Sequence, residues 1–246
     1  HDIEEGELEL VAGDFLLMMS DGVLHAGIGG ILPLGLGEDG VMNHLKGLLR
    51  EKIDSRQVVQ RFLDLCAAYY TMAPGDDTTV VAVHMRPPRQ LVMFTGPPRL
   101  PTSDTIAVKK LMDYPGTKVV CGGTTAQIVA RELDQELTVD LQYDDPEIPP
   151  CGTISGIDLV TEGMLTLNRA LAYLVESNIP RRNDGASRVA RLLSEADEIK
   201  IVTGLCINPA HQNPDLPPGL NLRAGTVKQL AGVLKQQGKV VDVEWL

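Results

Sequence analysis

The stretch TKVVCGGTTAQIVAREL, residues 117–133, has the pattern of one complete repeat of an α/β fold. A β-branched run ends at Cys121, a glycine pair follows, and apolar residues then recur at helical spacing. Residues 156–177 repeat this order of strand, glycine turn and helix, whereas 186–205 and 225–246 each have a helix pattern followed by a strand pattern. This alternation predicts a mostly parallel sheet covered by helices.

A proline-rich stretch, MRPPR at residues 85–89, is typical of a linker between domains. The segment before it has strand patterns at 7–11, 15–20 and 78–85 and helix patterns at 42–53 and 55–72. We therefore expect two domains, residues 1–86 and 87–246. The second is an α/β domain with a possible role in ligand sensing or partner binding.

The bulk composition disfavours several classes of protein. A net charge of −11 and only nine aromatic residues argue against nucleic-acid binding, which needs clustered basic side chains and stacking platforms. No apolar run is long enough to predict a membrane segment. The four cysteines are far apart, which favours free thiols in a reducing compartment and hence the cytoplasm. A metal site built from cysteines and His211 is disfavoured, because zinc ligands usually come in closer pairs.

Two aspartate motifs stand in the first segment, GDFLLMMSDG at 13–22 and GDDTTVVAV at 75–83. Asp21 follows a strand pattern, and Asp76 and Asp77 precede another. Carboxylate oxygens are the natural ligands of Mg²⁺ and Mn²⁺. Asp-Gly and Gly-Asp pairs are also common in turns that bind nothing, and spacing alone favours that interpretation.

Together, GDFLLMMSDGVLHA and the later PGDDTTVVAVHM resemble the C-terminal half of the PPM-type metal-dependent serine/threonine protein phosphatases, in the SpoIIE-like bacterial branch. The resemblance implies an α+β sandwich of two antiparallel sheets flanked by helices, of which residues 1–86 would be the C-terminal part. It also implies that Asp21 and Asp76 each bind a metal ion, with Asp77 as a neighbouring candidate ligand.

The mechanism implied by this resemblance uses two Mn²⁺ or Mg²⁺ ions and a bridging water that attacks the phosphorus of phosphoserine or phosphothreonine. The expected substrate is therefore a phosphoprotein. The family takes its bridging aspartate from an earlier DG-x-G-H-G motif, which does not occur in these 246 residues. We therefore expect a fragment that binds metal weakly and is inactive by itself. A sheet edge exposed by truncation could pair two copies into a homodimer.

Three strand ends of the α/β domain carry residues suited to binding a small anion. The GGTT turn offers helix-start N–H groups and hydroxyls, and the other two strand ends offer a carboxylate and a long polar loop. The candidate residues are Gly122, Gly123, Thr124, Thr125, Glu162, Asn208 and His211. The plainer alternative is a strand-to-helix turn in which a threonine caps the helix.

The sequence leaves three functions open. The first is a phosphatase fragment joined to a sensing domain. The second is a non-catalytic regulatory module whose α/β domain binds a small anionic ligand. The third is an α/β enzyme that acts on a phosphorylated or carboxylated metabolite around Glu162 and His211. An upstream DG-x-G-H-G motif would favour the first, and turnover by residues 87–246 alone would favour the third.

Overall fold

The structure, a computed structural model, describes residues 5–51, 53–70, 75–139, 149–206 and 222–246. The chain divides into two compact units, His1–Pro87 and Pro88–Leu246. This division falls one residue after the boundary expected at the MRPPR stretch. Each unit has its own sheet and its own hydrophobic core.

The first unit contains a two-stranded antiparallel sheet and three helices. Its elements are β1 (Phe15–Met19), α1 (Asp21–Leu24), α2 (Gly37–Arg50), α3 (Ser55–Tyr69) and β2 (Val80–His84). The strand predicted at 7–11 is wrong, because a strand needs a hydrogen-bonded partner and β1 pairs only with β2 among the described residues. The α2 helix begins at Gly37, earlier than the predicted start at 42.

One face of the β1–β2 sheet is covered by helices. The buried core comprises Val23, Ala26, Val41, Leu48, Val58, Phe62 and Cys66. The N-cap predicted for α3 is confirmed: the Asp54 side chain accepts a 2.8 Å hydrogen bond from Gln57 N–H, and the Gln57 side chain accepts one from Asp54 N–H at 3.0 Å. This capping box fixes where α3 begins.

The second unit alternates strands and helices as predicted. Its strands are β3 (Gln90–Thr95), β4 (Thr117–Cys121), β5 (Thr138–Val139), β6 (Gly152–Thr153), β7 (Leu159–Thr161), β8 (Glu198–Thr203) and β9 (Val240–Trp245). Its α-helices are α4 (Asp104–Asp113), α5 (Gly123–Leu133), α6 (Met164–Val175), α7 (Gly185–Glu195) and α8 (Leu222–Gln236).

These strands form one seven-stranded sheet in the order β5-β6-β7-β4-β3-β8-β9. The five strands from β7 to β9 are parallel, and the short β5 and β6 add an antiparallel edge. The predicted α/β class is therefore confirmed, with a mixed sheet. The antiparallel edge was not predicted because strands of two residues carry no periodic pattern.

Successive residues of the parallel strands face opposite sides, and helices bury both. On one side Leu91 and Met93 of β3 join a core with residues of α6, α7 and α8. On the other side Val92 and Phe94 join a core with residues of α4 and α5. Burial on both faces accounts for the nearly continuous apolar runs of these strands.

Candidate functional site

The two aspartate motifs meet at one end of the β1–β2 sheet. Ser20, the residue after β1, donates its hydroxyl to the carbonyl oxygen of Asp77 at 2.8 Å. The same hydroxyl oxygen accepts the N–H of Thr79 at 2.9 Å. Backbone pairing continues one step past the strand, where Ser20 N–H donates to Thr79 carbonyl oxygen at 3.1 Å. One serine therefore holds the turn after β1 against the turn before β2.

Gly22 allows the close approach of these two turns. A Cβ atom at position 22 would overlap the carbonyl oxygen of Asp77 and would lie 3.1 Å from Thr78 Oγ1. The Gly22 carbonyl oxygen accepts a 2.6 Å hydrogen bond from the Tyr70 hydroxyl, at the end of α3. The requirement for glycine in the SDG motif is therefore steric, since no larger residue fits between the turns.

The three aspartates predicted as metal ligands are all exposed around this junction. Asp21 is the first residue of the short α1, and Asp76 accepts the N–H of Asp77 on its own carboxylate at 2.8 Å. Neither these two residues nor Asp77 forms an ion pair within the described part of the chain. The junction therefore presents carboxylates to solvent, and none of them is neutralised by a cation of the described residues.

Exposed, unpaired carboxylates are the donor set that Mg²⁺ and Mn²⁺ prefer, because these ions keep several waters and use few protein ligands. The residues present therefore fit part of such a site. Within the described ranges, no group of three or more His, Cys, Asp or Glu side chains is arranged to hold a metal ion. The three aspartates by themselves do not make a closed metal cage.

In the second unit the GGTT turn has a different structure from the one expected. The N-cap of α5 is Gly122, with φ of +129°, and the helix starts at Gly123, so the prediction that a threonine caps the helix is wrong. A left-handed backbone at this position explains the preference for glycine over threonine. Thr124 and Thr125 lie in the first turn of the helix instead.

The two threonines of this turn have different environments. Thr125 is buried, and its hydroxyl oxygen accepts the N–H of Gly96 at 2.9 Å. Thr124 is exposed, as is Gly123. Thr125 therefore has an internal structural partner, and of the two threonines only Thr124 faces solvent.

The structure brings Glu162 to the GGTT turn. Gly122 N–H donates to the Thr161 carbonyl at 2.9 Å, and a Cβ atom at Gly163 would lie 3.4 Å from Gly122 Cα. Glu162 is exposed and accepts the N–H of Gly163 on its own carboxylate. Because this carboxylate lies near the start of α5, it opposes binding of an anion there.

Asn208 and His211 lie outside the described residues. The four cysteines are free thiols. Burial raises the pKa of the Cys121 thiol to about 12, so this residue is not a nucleophile near neutral pH.

Sequence reasoning missed two residues that build the first junction. Ser20 was visible as the first letter of the SDG motif, but nothing in the pattern showed that its hydroxyl bridges to Asp77 and Thr79. Tyr70 had no local signal, because its contact with Gly22 joins residues 48 positions apart.

Comparison of the chain with protein-family models, curated proteins and solved structures gave no match. Across the described ranges, each helix is either too short or too polar to cross a membrane.

Proposed function

We propose that the first unit is the C-terminal part of a metal-dependent protein serine/threonine phosphatase of the PPM type. The observation that carries this proposal is the Ser20 hydroxyl, which joins the SDG turn directly to the DDT turn. Two motifs that lie more than fifty residues apart in sequence form one junction, with unpaired carboxylates exposed around it. The antiparallel pairing of Met19 with Val80 brings the two motifs to the same end of the sheet, and the Ser20 hydroxyl fixes the contact between their turns.

Each residue of the junction has a definite role in this proposal. Asp21 and Asp76 bind metal through their carboxylates, and Asp77 lies beside them as a further candidate ligand. Ser20 and Gly22 are positioning residues that keep the two turns in contact. When bound, two Mn²⁺ or Mg²⁺ ions would supply an activated water for attack on a phosphoserine or phosphothreonine.

The uncovered face of the β1–β2 sheet also supports membership of a larger sandwich. Met18 pairs with Val81, and Leu16 with Val83. Met18, Val81 and Val83 are 49%, 44% and 36% exposed, so this face presents a continuous apolar strip. A two-stranded sheet is marginal alone, and further strands or a second copy of the chain would bury the strip. The 246 residues supply no DG-x-G-H-G motif, so the bridging carboxylate of this proposal comes from elsewhere.

The test is phosphate release from a phosphoserine peptide in the presence of Mn²⁺, using the longest natural chain that contains these residues. We expect release that requires Mn²⁺ and is lost in Asp76→Asn, while Asp64→Asn retains it. Asp64 is a matched control because it is an exposed aspartate on α3, hydrogen-bonded only to Gln60 at 2.9 Å. Release that survives Asp76→Asn, or no release at saturating metal, would refute the proposal.

The substrate is a phosphoprotein, and the compartment is the cytoplasm, where free thiols such as those of this chain persist. The alternative function is a non-catalytic regulatory module whose α/β unit binds a small anionic ligand. An intact chain without turnover but with anion binding by the second unit would favour that alternative.

A further inference from the structure

Among the five parallel strands of the second unit, the chain changes its direction across the sheet at one point. It forms β3, β4 and β7 in that order toward one edge, with the short β5 and β6 between β4 and β7 in sequence, and it then returns to the other side of β3 to form β8 and β9. In open α/β sheets, ligands bind beyond the carboxyl ends of the strands at such a switch point. Here that position lies beyond the ends of β3 and β8.

Unpaired buried hydroxyls are concentrated at this edge of the sheet. Four buried side-chain polar atoms in the described part of the chain have no hydrogen-bond partner, and three are hydroxyls of Thr95, Thr166 and Thr203. Thr95 and Thr203 are the last residues of β3 and β8, are paired in register, and are 1% and 0% exposed. Native proteins rarely leave such groups without a partner.

Both strand-end hydroxyls face the same side of the sheet. Thr95 is two residues beyond Met93, and Thr203 is two residues beyond Ile201, and both apolar residues belong to the core shared with α6 and α8. Since side chains alternate along a strand, the two hydroxyls also point to the α8 side. They therefore lie on the sheet face that α6, α7 and α8 cover, and the start of α8 carries a cation.

That cation is Arg223, in the first turn of α8. Its Nη1 donates two long hydrogen bonds, to the carbonyl oxygens of Gly204 at 3.4 Å and Cys206 at 3.3 Å. It forms no ion pair within the described part of the chain. Burial lowers the pKa of its guanidinium group. A partly buried arginine normally has a carboxylate or phosphate partner with a planar pair of oxygens.

Two glycines allow close packing at these strand ends, one against the arginine and one between the two strands. A Cβ atom at Gly96, which has φ of +79°, would overlap the Arg223 guanidinium group. A Cβ atom at Gly204 would overlap the backbone of Pro97. Gly96 directly follows Thr95, and Gly204 directly follows Thr203, so Arg223 lies over both strand ends. Its two long hydrogen bonds hold it only weakly there.

We propose that the second unit binds a small ligand with a phosphate or carboxylate group at the carboxyl ends of β3 and β8. Arg223 leaves the two carbonyl oxygens and pairs with the anion, and the hydroxyls of Thr95 and Thr203 donate hydrogen bonds to it. This position differs from the GGTT turn, where Glu162 opposes an anion. The proposal does not depend on phosphatase activity in the first unit, and it gives the regulatory alternative a specific site.

The test is thermal unfolding of the 246-residue chain, followed by the fluorescence of Trp245. This residue is the single tryptophan and lies in β9, so its signal reports on the second unit. Inorganic phosphate is compared with sodium chloride at equal ionic strength, and succinate is the carboxylate probe. We expect phosphate, succinate or both to raise the unfolding midpoint by about 3–6 °C at concentrations near ten times the dissociation constant. The probe that acts identifies the anionic group.

Variants distinguish anion binding at this site from a general effect of salt on the unfolding midpoint. Arg223→Gln is expected to abolish the midpoint shift, whereas Lys235→Gln, which removes the same charge from an exposed position at the other end of the same helix, is expected to retain it. The pair Thr95→Val and Thr203→Val is expected to leave the anion-free midpoint unchanged or higher, because no hydrogen bond is lost, and yet to reduce the shift.

Two results would overturn the proposal. One is the absence of any midpoint shift with either probe in the unsubstituted chain. The other is an equal shift in the unsubstituted chain and in Arg223→Gln, which would leave Arg223 as a brace for the Gly204 and Cys206 carbonyls only.

Discussion

Within the described residues, the two units leave opposite charges unpaired at the ends of their strands. In the first unit Asp21, Asp76 and Asp77 surround the Ser20 junction and form no ion pair there, whereas in the second unit Arg223 lies over two strand ends and pairs with no described carboxylate. Some charges in the second unit are paired, such as Glu244 with Lys110 and Lys200. In our two proposals the unpaired carboxylates of the first unit bind a metal ion and the unpaired arginine of the second binds an anion.

The contacts between turns also differ between the two units. In the first unit the SDG and DDT turns are joined by one partly buried hydroxyl and by a glycine that permits backbone contact. In the second unit the GGTT turn is held to the end of β3 by a buried hydroxyl, that of Thr125, which accepts the N–H of Gly96. Substitutions at these positions therefore test whether the motifs are structural, functional or both.

The largest loss of stability is expected for Gly22→Ala. The new Cβ would overlap the Asp77 carbonyl oxygen, and forcing backbone apart in a packed contact costs about 2–3 kcal/mol. Gly47→Ala is the control, since a Cβ there meets nothing within 4 Å and replacing a mid-helix glycine stabilises by roughly 0.5–1 kcal/mol. Urea unfolding followed by circular dichroism measures both. Equal effects of the two substitutions would mean that the turns are not in contact.

A somewhat smaller effect is expected for Thr125→Val in the second unit. It leaves the N–H of Gly96 without its acceptor, and an unpaired buried donor costs roughly 1–3 kcal/mol. Thr124→Val, on the exposed neighbour, is expected to change stability by less than about 0.5 kcal/mol. Urea unfolding followed by Trp245 fluorescence gives both values. If Thr124→Val proved the more damaging, the assignment of these two roles would be reversed.

Ser20→Ala tests the side-chain bridge of the SDG–DDT junction. It removes both hydrogen bonds of the bridging hydroxyl, and because the site is only partly buried we expect a loss of about 1 kcal/mol in the free energy of unfolding. Because the two turns would then be held by backbone pairing alone, Mn²⁺ affinity is expected to fall even though no carboxylate has changed. Unfolding and Mn²⁺ titration of the same sample test this, and an unchanged Mn²⁺ affinity would show that metal binding does not need the bridge.

The smallest loss of stability is expected for the ion-paired carboxylate of the second unit, Glu244. Hydrogen bonds from Lys110 and Lys200 lower the pKa of Glu244, with the Lys110 bond the larger cause. Its stabilising contribution is therefore present above the pKa of an unfolded glutamate, near 4.3, and is lost as pH falls through the lower folded pKa. Glu244→Gln is expected to remove less than about 1 kcal/mol at neutral pH and nothing once the carboxyl is protonated. Unfolding of both chains from pH 7 to 3 checks this, with Glu136→Gln, at an exposed position, as the control.

Local patterns in the sequence predicted most of the fold. Strand and helix alternation from residue 117 onward predicted the parallel sheet, and Asp54 was identified as the cap of α3. The strand at 7–11 was wrong because alternation indicates a strand but does not supply a partner. The threonine cap was wrong because the left-handed backbone at Gly122 favoured glycine.

The candidate sites were only partly predictable. Asp21 and Asp76 could be selected from motif order, but the contact between their turns depends on Ser20, Gly22 and Tyr70, which lie far apart in sequence. The loop after β8 was among the strand ends predicted to bind an anion, but the residues at the ends of β3 and β8 were not selected. Thr95, Thr203 and Arg223 belong to no local motif, and only the strand order brings them together.

The metal site between the SDG and DDT turns is tested most directly by Mn²⁺ binding to the 246-residue chain, measured by electron paramagnetic resonance of the free ion. We expect weak binding, at millimolar metal, that is lost in Asp21→Asn and also in Asp76→Asn but retained in Asp64→Asn. Loss in both motif variants would show that the SDG and DDT turns form one metal site. If the unsubstituted chain binds no Mn²⁺, or if either motif variant binds it unchanged, the two turns do not form this site.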